Sequence, residues 1–457
     1  MCGIFGIYGH EEAANITYLG LYALQHRGQE STGIVSSDGR YLHAHLEMGH
    51  VADCFSEDVL AKLKGTSAIG HVRYSTAGKS LIKNAQPFVV SFANGSIAIA
   101  HNGNLTNDRV LRDDLERRGS IFQSDMDTES IVHLIAASKK KSLMDKMVDA
   151  LKKVEGAYSL LFLTESRMIA VRDPYGFRPL SIGKLKGSYV VASESCAFDL
   201  VGIEKVREVE PGEFIVIDKN GLKSFKPFEE APYSPCIFEY IYFARPDSTI
   251  FGENVHTIRK ELGRQLAREK PVKADVVIPV PDSGISAAMG YAEELGIPYE
   301  MGLVRNHYVG RTFIEPQQAI RHFGVKIKLN PIRDVLCGKK VVVVDDSIVR
   351  GTTSRKIVQM IRKTGAKEIH MRISAPPIKY PCFYGIDTPN RRELIAATHK
   401  IKEVNTYITS DSVGYISVKG LLKAVGREDS YCNACFDGNY PVSFPLCGKK
   451  SQLALFG

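Results

Sequence analysis

The segment KVVVVDDSIVRGTTSRKIV, residues 340–358, decides the fold of the second half of the chain. Its four consecutive valines predict a strand that is buried on both faces, as in a parallel sheet covered by helices. The loop that follows this strand leads into a helical pattern. A second apolar run, ADVVIPV at 274–280, also ends in a loop before a helical pattern. The second half is therefore predicted to be an α/β domain built on a parallel sheet.

The end of this strand is also a candidate binding site. In open α/β sheets, ligands bind at the carboxyl ends of the strands, and the N-terminus of a helix attracts phosphate. The paired carboxylates of Asp345 and Asp346 suit ribose hydroxyls or Mg²⁺. An aspartate pair at a strand end is equally typical of a phosphoacceptor domain or of a plain turn, and the RGTTS sequence that follows favours a phosphate site. The loop residues that suit a 5′-phosphate are Ser347, Arg350, Gly351, Thr352, Thr353 and Ser354.

The first half of the chain follows a different pattern. Short alternating strands, among them SIAIAHNG, YSLLFLTES and GEFIVID, are accompanied by helical patterns at 128–138 and 143–153. This mixture predicts an α+β domain rich in antiparallel pairing. The segment PFEEAPYSPC at 227–236 contains three prolines and two adjacent acidic residues, and it predicts a linker. We therefore expect the first domain at residues 2–230 and the second at residues 231–457.

The composition excludes several classes of protein. Of the 457 residues, 44% are hydrophobic and 24% are charged, as in ordinary globular proteins. The net charge of +8 is spread along the chain, so we expect anionic small molecules as partners and no nucleic acid. No apolar stretch approaches the roughly 20 residues of a membrane helix, and no cationic region precedes the first apolar segment. We therefore expect a cytoplasmic protein with no membrane partner.

Cys2, in the N-terminal sequence MCGIFGIYG, is the candidate nucleophile. Removal of Met1 would expose an α-amino group whose ordinary pKa of about 7.7–8.0 allows it to act as a base toward the thiol. From this dipeptide alone, a small buried cysteine at the start of a strand is the more common alternative. The segments that favour a catalytic role are LQHRGQEST (24–32), GHVRYST (70–76), AHNGNL (100–105) and SDMDTE (124–129).

Together with Cys2, these segments resemble the glutaminase domain of the N-terminal-nucleophile amidotransferases, over residues 2 to about 230. The resemblance implies an αββα sandwich that releases ammonia from glutamine through a thioester on Cys2. Taken singly, an arginine or aspartate from these motifs is more typical of a surface ion pair. The implied roles are α-carboxylate binding for Arg73, α-ammonium binding for Asp127, oxyanion binding for Asn102 and the Gly103 N–H, and shaping of the pocket for His26 and Arg27.

The second half resembles the type I phosphoribosyltransferases. Residues 340–358 are similar to the motif with which that family binds phosphoribosylpyrophosphate (PRPP), and VIPVPDSGIS at 277–286 is similar to a second loop of the family. The resemblance implies that the aspartates and loop residues named above bind PRPP. It also implies one Mg²⁺ per subunit, held at Ser283, Asp345 and Asp346. From its position alone, Ser283 is equally typical of a helix cap.

The segment VRNHYVGRTFIEPQQAIR at 304–321 is polar and too long for an ordinary connector. The resemblance implies that it is a flexible loop that closes over PRPP, excludes water and places cationic groups around the diphosphate. Arg311 is the residue of this loop that we expect to contact PRPP.

The two halves together resemble the glutamine-dependent PRPP amidotransferases over essentially the full chain. This implies conversion of glutamine, PRPP and water into 5-phosphoribosylamine, pyrophosphate and glutamate, the first committed step of purine synthesis. It also implies a homo-oligomer, usually a tetramer, inhibited by purine nucleotides of the AMP and GMP class. A sugar-phosphate isomerising amidotransferase would lack the PRPP motif. A nucleotide sensor without chemistry would show damage at Cys2, Arg73, Asp345 or Asp346, and all four residues are intact.

Four of the nine cysteines form a candidate metal site: Cys236, Cys382, Cys432 and Cys435. Four thiolates suit a tetrahedral or cuboidal site. From counting alone, zinc is as favoured as iron, and scattered buried thiols are more common than either. One branch of the resembled family carries a [4Fe–4S] cluster at these positions, and this sequence follows that branch, with one cluster per subunit. Cluster-bearing relatives commonly have a short propeptide, whereas only Met1 precedes Cys2 here.

Overall fold

A computed structural model describes residues 1–74, 80–93, 95–306, 329–388, 390–426 and 430–442. The strands of the first half are β1 (Gly3–Tyr8), β2 (Ser31–Ser37), β3 (Leu42–Met48), β4 (Ser67–Arg73), β5 (Phe88–Phe92), β6 (Gly95–Leu105), β7 (Gly156–Thr164), β8 (Met168–Arg172), β9 (Ser181–Leu185), β10 (Ser188–Ala192), β11 (Glu204–Glu208), β12 (Phe214–Asp218) and β13 (Gly221–Phe225). Its helices are α1 (Ala13–Ala23), α2 (Val51–Cys54), α3 (Glu57–Leu60), α4 (Asp108–Arg117), α5 (Asp127–Ala137), α6 (Leu143–Leu151) and α7 (Cys196–Asp199).

These strands form two antiparallel sheets. The first has the order β11-β9-β10-β1-β4-β2-β3, and the second has the order β13-β12-β8-β7-β6-β5. Alternate side chains along a strand point to opposite faces, and apolar ones from both sheets, such as Ile4, Ile69 and Leu161, fill the space between the sheets. Helices α1 and α7 cover the outer face of the first sheet, and α4, α5 and α6 cover that of the second. This arrangement is the expected αββα sandwich.

The second half contains the strands β14 (Thr249–Ile250), β15 (Glu253–Asn254), β16 (Val276–Pro279), β17 (Leu303–Arg305), β18 (Leu329–Pro331), β19 (Lys340–Asp345), β20 (Glu368–Ile373) and β21 (Ser412–Tyr415). Its helices are α8 (Val255–Glu269), α9 (Ile285–Leu295), α10 (Arg333–Leu336), α11 (Thr352–Arg362), α12 (Ile395–Thr398), α13 (Ile401–Ile408), α14 (Val418–Val425) and α15 (Ala434–Asp437). A helical turn at Glu239–Phe243 precedes them.

The core of the second half is a parallel sheet of order β16-β19-β20-β21. The two apolar runs of the sequence pair within it, with Val277 opposite Val342. Apolar helix faces cover both sides, so the four valines of β19 are fully buried. The predicted α/β domain is thus confirmed, and its binding loops lie at the carboxyl end of the sheet.

Between the last strand of the sandwich and the helical turn at Glu239–Phe243, residues 226–235 have no regular secondary structure. All of the predicted linker at 227–236 except Cys236 falls in this stretch, and Cys236 forms an isolated β-bridge with Cys432. Within the described part of the chain, no helix has both the length and the apolar character needed to cross a membrane.

Candidate functional site

Cys2 lies at the start of β1, in the middle of the first sheet. β1 pairs antiparallel with β4 and β10, and Gly3 lies opposite Val72. A Cβ atom on Gly3 would lie 2.9 Å from Cγ2 of Val72, so the close pairing beside the thiol requires glycine. The thiol is buried, and its Sγ lies 3.7 Å from the carbonyl oxygen of Tyr74. Sheet packing therefore fixes the candidate nucleophile beside the end of β4.

The amino group before Cys2 is also buried. Met1 is 1% exposed, and burial lowers the pKa of its α-amino group to about 4. An amine with a lowered pKa is uncharged at neutral pH, so its lone pair is free, but the same shift makes it a weaker base. Removal of Met1 would free the α-amino group of Cys2. A nucleophile that supplies its own base requires such a free amino group on the same residue.

Arg73 and Asp127 provide opposite charges near Cys2. The guanidinium of Arg73, at the end of β4, is buried and lies 2.5 Å from a carboxylate oxygen of Glu30. Asp127 begins α5, and its Oδ2 accepts a 2.9 Å hydrogen bond from the N–H of Leu105. Burial alone would raise the pKa of Asp127, but His101, 3.5 Å away, and the Leu105 N–H hold it below its ordinary value. The carboxylate is thus kept charged.

The predicted oxyanion residues lie on β6, in the second sheet. Nδ2 of Asn102 is buried and has no hydrogen-bond partner among the described residues. A buried donor without a partner costs about 1–3 kcal/mol, so an incoming oxygen would find it available. A Cβ atom on Gly103 would lie 2.0 Å from the carbonyl oxygen of Ala157 on β7, so the close packing of these strands also requires glycine.

Two histidines, neither of them a predicted site residue, connect these parts. Nε2 of His71, on β4, donates a 3.1 Å hydrogen bond to the carbonyl oxygen of His101, on β6. Burial lowers the pKa of His71 to about 3, which keeps it neutral. This bond joins the two sheets one or two residues before Arg73 and Asn102. The sandwich therefore brings the predicted glutaminase residues to one end. Both histidines lie inside the quoted motifs GHVRYST and AHNGNL, and that position is the sequence feature that could have identified them.

The second predicted site lies at the carboxyl end of β19. Asp345 ends this strand, and Gly351, at φ +74°, precedes the first turn of α11. All the predicted residues here line one cavity of about 400 Å³, namely Ser283, Asp345, Asp346, Ser347, Arg350, Gly351, Thr352, Thr353 and Ser354. Arg311 and most of its loop lie outside the described residues. The parallel sheet therefore collects two distant sequence motifs in one pocket.

The electrostatics of this pocket favour a cation. Asp345 and Asp346 are both 6% exposed, and the N–H of Asp346 donates a 2.9 Å hydrogen bond to Oδ1 of Asp345. Burial and the neighbouring carboxylate of Asp346 raise the pKa of Asp345 well above its ordinary value. Two adjacent buried carboxylates are unfavourable without a compensating positive charge.

The same cavity extends toward Cys2. Its wall includes Tyr74, whose carbonyl oxygen is the one next to the Cys2 thiol, and the apolar side chains of Phe238, Tyr242 and Phe243. The helical turn Glu239–Phe243 thus forms a mostly apolar boundary between the two predicted sites.

The four candidate cluster cysteines lie in one region, where β-bridge pairing brings Cys236 and Cys432 together. Burial raises the pKa of the Cys432 and Cys435 thiols well above the ordinary value, and the negative charge of nearby Cys236 and Cys382 raises it further. In the described ranges, no group of three or more His, Cys, Asp or Glu side chains is arranged to hold a metal ion.

A buried ionic network joins the two domains and was not predicted. Arg27 donates from Nε to the carbonyl oxygen of Cys2 at 2.9 Å, and its other nitrogens pair with Glu194 and Glu239. Arg178 also pairs with Glu239, at 3.3 Å. Burial opposes the charge of Arg27, but the two carboxylates raise its pKa above the ordinary value. The sequence gives no signal for this network because its members are up to 212 residues apart.

Comparisons with known proteins cover both domains. A family model described as a glutamine amidotransferase domain matches residues 71–199, and one described as a phosphoribosyl transferase domain matches residues 252–379. The amidophosphoribosyltransferase of Bacillus subtilis is 55% identical, over 96% of this chain and 94% of its own length. Amidophosphoribosyltransferase 1 of Arabidopsis thaliana, a chloroplastic protein, is 54% identical, over 96% of this chain and 78% of its own length.

Solved structures agree with these sequences. One described as the allosteric regulatory enzyme of purine biosynthesis has a TM-score of 0.94 at 54% identity, covering 98% of this chain and 97% of its own. The glutamine PRPP amidotransferase of B. subtilis, complexed with ADP and GMP, has a TM-score of 0.93 at 54% identity, covering 98% of each chain. Because proteins this similar share both domains over nearly their full length, the chain belongs to the amidophosphoribosyltransferase family, glutamine-dependent glycosyltransferases of purine biosynthesis.

Proposed function

We propose that the N-terminal site hydrolyses glutamine through Cys2 and that the ammonia passes inside the protein to PRPP, giving 5-phosphoribosylamine, pyrophosphate and glutamate. The observation that carries this proposal is the cavity whose wall runs from Tyr74, beside the Cys2 thiol, to the loop after β19. Ammonia released into water would become ammonium, which is not a nucleophile. A route closed to water would keep it reactive, and the aromatic side chains of Phe238 and Phe243 supply apolar wall between the two sites.

In the glutaminase step, the Cys2 thiol attacks the amide carbon of glutamine, and the α-amino group left by removal of Met1 takes the thiol proton and passes it to the amide nitrogen, which leaves as ammonia when the C–N bond breaks. Water then hydrolyses the Cys2 thioester, which releases glutamate and restores the thiol. Arg73 binds the α-carboxylate of glutamine, and the charged carboxylate of Asp127 binds its α-ammonium group. Asn102 Nδ2 and the N–H of Gly103 donate to the oxyanion that develops in the transition state. The buried Asn102 donor without a partner supports this assignment.

In the second step, the loop from Ser347 to Ser354 binds the 5′-phosphate of PRPP through backbone N–H groups, hydroxyls and the first turn of α11. Ser283, Asp345 and Asp346 would hold Mg²⁺, and the two buried carboxylates fit a hard divalent cation. When bound, Mg²⁺ would neutralise charge on the departing pyrophosphate. We propose that Arg311 adds a further positive charge to the diphosphate.

We also propose that Cys236, Cys382, Cys432 and Cys435 hold one [4Fe–4S] cluster per subunit, as in the cluster-bearing branch of the family. Cys236 and Cys432 are buried, and Cys382 and Cys435 are partly buried in the same region. Thiols fit this donor set, because coordination to iron stabilises thiolates that burial of Cys432 and Cys435 otherwise disfavours. The role of such a cluster would be structural.

Regulation and assembly are part of the proposal. The related B. subtilis structure is complexed with ADP and GMP, and a purine nucleotide of the AMP or GMP class carries the 5′-phosphate that the loop after β19 suits. We propose inhibition by such nucleotides, a homo-oligomer, usually tetrameric in this family, and a cytoplasmic location. Sedimentation of the purified protein and fractionation of cells test the last two points.

The first experiment is an assay of glutamate release from glutamine by anaerobically purified protein with Mg²⁺, with and without PRPP. We expect stimulation by PRPP that disappears in Cys2→Ala, while synthesis from added ammonia persists. Saturating AMP or GMP in the same assay should lower the initial rate. Glutamate release that ignores PRPP, or survives in Cys2→Ala, would contradict the proposed coupling or the proposed nucleophile, respectively.

A further inference from the structure

A segment of the second domain, residues 382–388, presses against the strand of the proposed oxyanion hole. Gly385 has φ +103°, and a Cβ atom on it would lie 2.9 Å from the carbonyl carbon and 3.0 Å from the carbonyl oxygen of Gly103. Contacts this short are essentially never seen for a real Cβ atom, and the neighbour is backbone that cannot rotate away. The two glycines therefore meet backbone to backbone, across the domain boundary.

Hydrogen bonds and stacking hold the segment in this position. Nδ2 of Asn104, the residue after Gly103, donates a 3.0 Å bond to the carbonyl oxygen of Phe383. Arg178 donates from Nε to the carbonyl oxygen of Tyr384 at 3.1 Å. The Tyr384 ring is buried and stacks on Phe177, with ring centroids 4.3 Å apart. The contact is thus specified by the two residues that precede Gly385.

The ends of the same segment reach the other site. Cys382, Asp387 and Thr388 line the cavity that contains the proposed PRPP loop, whereas Gly385 does not. The N–H of Cys382 donates a 2.7 Å hydrogen bond to Oγ1 of Thr388, which closes the segment into a compact loop. One short piece of chain therefore touches the PRPP cavity at its ends and the oxyanion strand at its middle.

We propose that Gly385 is a positioning residue for the glutaminase step: segment 382–388 of the second domain, which contacts the Cα and carbonyl group of Gly103, fixes the backbone of Gly103 and hence the direction of its N–H. This inference rests on the proposed oxyanion role of Asn102 and Gly103. Oxyanion donors act only if they are placed within a few tenths of an ångström of the developing charge, and loss of one donor costs about 10²–10³-fold in kcat. A shift of the Gly103 peptide should thus slow the chemical step without weakening glutamine binding.

The test is the Gly385→Ala variant of the full-length holoenzyme. We expect kcat for glutamine hydrolysis to fall about 10- to 100-fold, with KM for glutamine unchanged within about twofold, because Arg73 and Asp127 are not displaced. Synthesis from ammonia and PRPP, which bypasses the glutaminase site, should be retained. The rate at which iodoacetamide alkylates Cys2 should also be unchanged, because that reaction needs no oxyanion donor.

Gly221→Ala is the matched control. Gly221 has φ +100°, close to that of Gly385, but a Cβ atom on it would meet nothing within 4 Å. The Gly221→Ala variant should carry the same backbone strain without a steric contact, and it should keep full glutamine-dependent activity. A Gly385→Ala enzyme that kept its glutaminase kcat, or that lost ammonia-dependent synthesis to the same extent, would overturn the proposal.

Two further variants keep the result decisive. If Gly385→Ala does not fold, Asn104→Ala takes its place, because it removes the hydrogen bond that the first domain donates to Phe383. It should lower kcat for glutamine hydrolysis and leave KM for glutamine and ammonia-dependent synthesis unchanged. An unchanged kcat would overturn the proposal. Asn102→Ala tests the assignment on which the inference rests. A normal glutaminase rate in Asn102→Ala would overturn both, whereas a loss in Asn102→Ala beside a normal Gly385→Ala would overturn only the positioning role.

Discussion

Asp127 shows how its neighbours determine the charge of a single residue. Burial favours the neutral acid, yet His101 and the N–H of Leu105 keep the pKa of the carboxyl group below its ordinary value. In return, the pKa of His101 is raised, although burial alone would lower it. The carboxylate therefore keeps its charge to a lower pH than an ordinary aspartate does. This suits a permanent partner for an ammonium group.

The Asp127→Asn variant tests this residue. We expect KM for glutamine to rise roughly 10- to 100-fold, because a hydrogen bond to a charged group contributes about 1.5–3 kcal/mol. Synthesis from ammonia should stay near the normal rate. The measurement is steady-state kinetics with each nitrogen donor.

Asp125→Asn is the control for this substitution. Asp125 lies in the same motif but is half-exposed and pairs with Lys83 at 3.2 Å, also at the surface. Its loss should leave KM for glutamine within about twofold. An unchanged KM in Asp127→Asn would show that the α-ammonium group binds elsewhere.

At the scale of elements, the helical turn Glu239–Phe243 belongs to both sites. Phe238, Tyr242 and Phe243 line the cavity of the proposed PRPP loop, whereas Glu239 is fully buried between Arg27 and Arg178. Arg27 in turn holds the carbonyl oxygen of Cys2. The turn is therefore fixed to the nucleophile by charge on one side and forms the cavity wall on the other.

Replacing Glu239 by glutamine should destabilise the protein strongly. The variant would leave two buried guanidinium groups with one remaining carboxylate, and removal of one partner from a buried ion pair costs about 3–5 kcal/mol. We expect a lower midpoint of thermal unfolding and slower glutamine hydrolysis. Calorimetry on the wild type and the variant gives the comparison.

Glu294→Gln removes a surface pair with Arg268 and should not shift the midpoint measurably. Equal midpoints for Glu239→Gln and the wild type would mean that the buried network does not hold the domains together.

The elements differ in how well the sequence predicts them. The helical patterns at 128–138 and 143–153 correspond to α5 and α6 within a residue or two, because an apolar stripe is a local property. The strand β19 and the loop after it were likewise predictable from the sequence, since one continuous segment contains both. Glu194, Glu239 and Gly385 were not, because each acts through residues far away in sequence. From its local sequence, an acidic residue such as Glu239 is typical of the surface. It is buried here only because the packed domains place arginines around it.

At the scale of the whole molecule, the proposed cluster would tie three separate parts of the chain together. Cys236 lies just after residues 226–235, Cys382 follows β20, and Cys432 and Cys435 belong to the C-terminal part. Tyr384, two residues after Cys382, accepts a hydrogen bond from Arg178 of the sandwich. A metal link at these cysteines would therefore also support the interface on which both sites depend.

The Cys435→Ser variant tests this link. We expect anaerobically purified wild type to contain iron and acid-labile sulfide and Cys435→Ser to contain little of either, because cluster assembly needs all four thiolates. Synthesis from glutamine and from ammonia should fall together, with a lower midpoint of unfolding, since the loss would affect the interface and not one site. Cys337→Ser, at an exposed cysteine outside the group, should keep its iron and both activities. Wild-type protein without iron would remove the cluster, and zinc bound in its place would give the four thiols a mononuclear role.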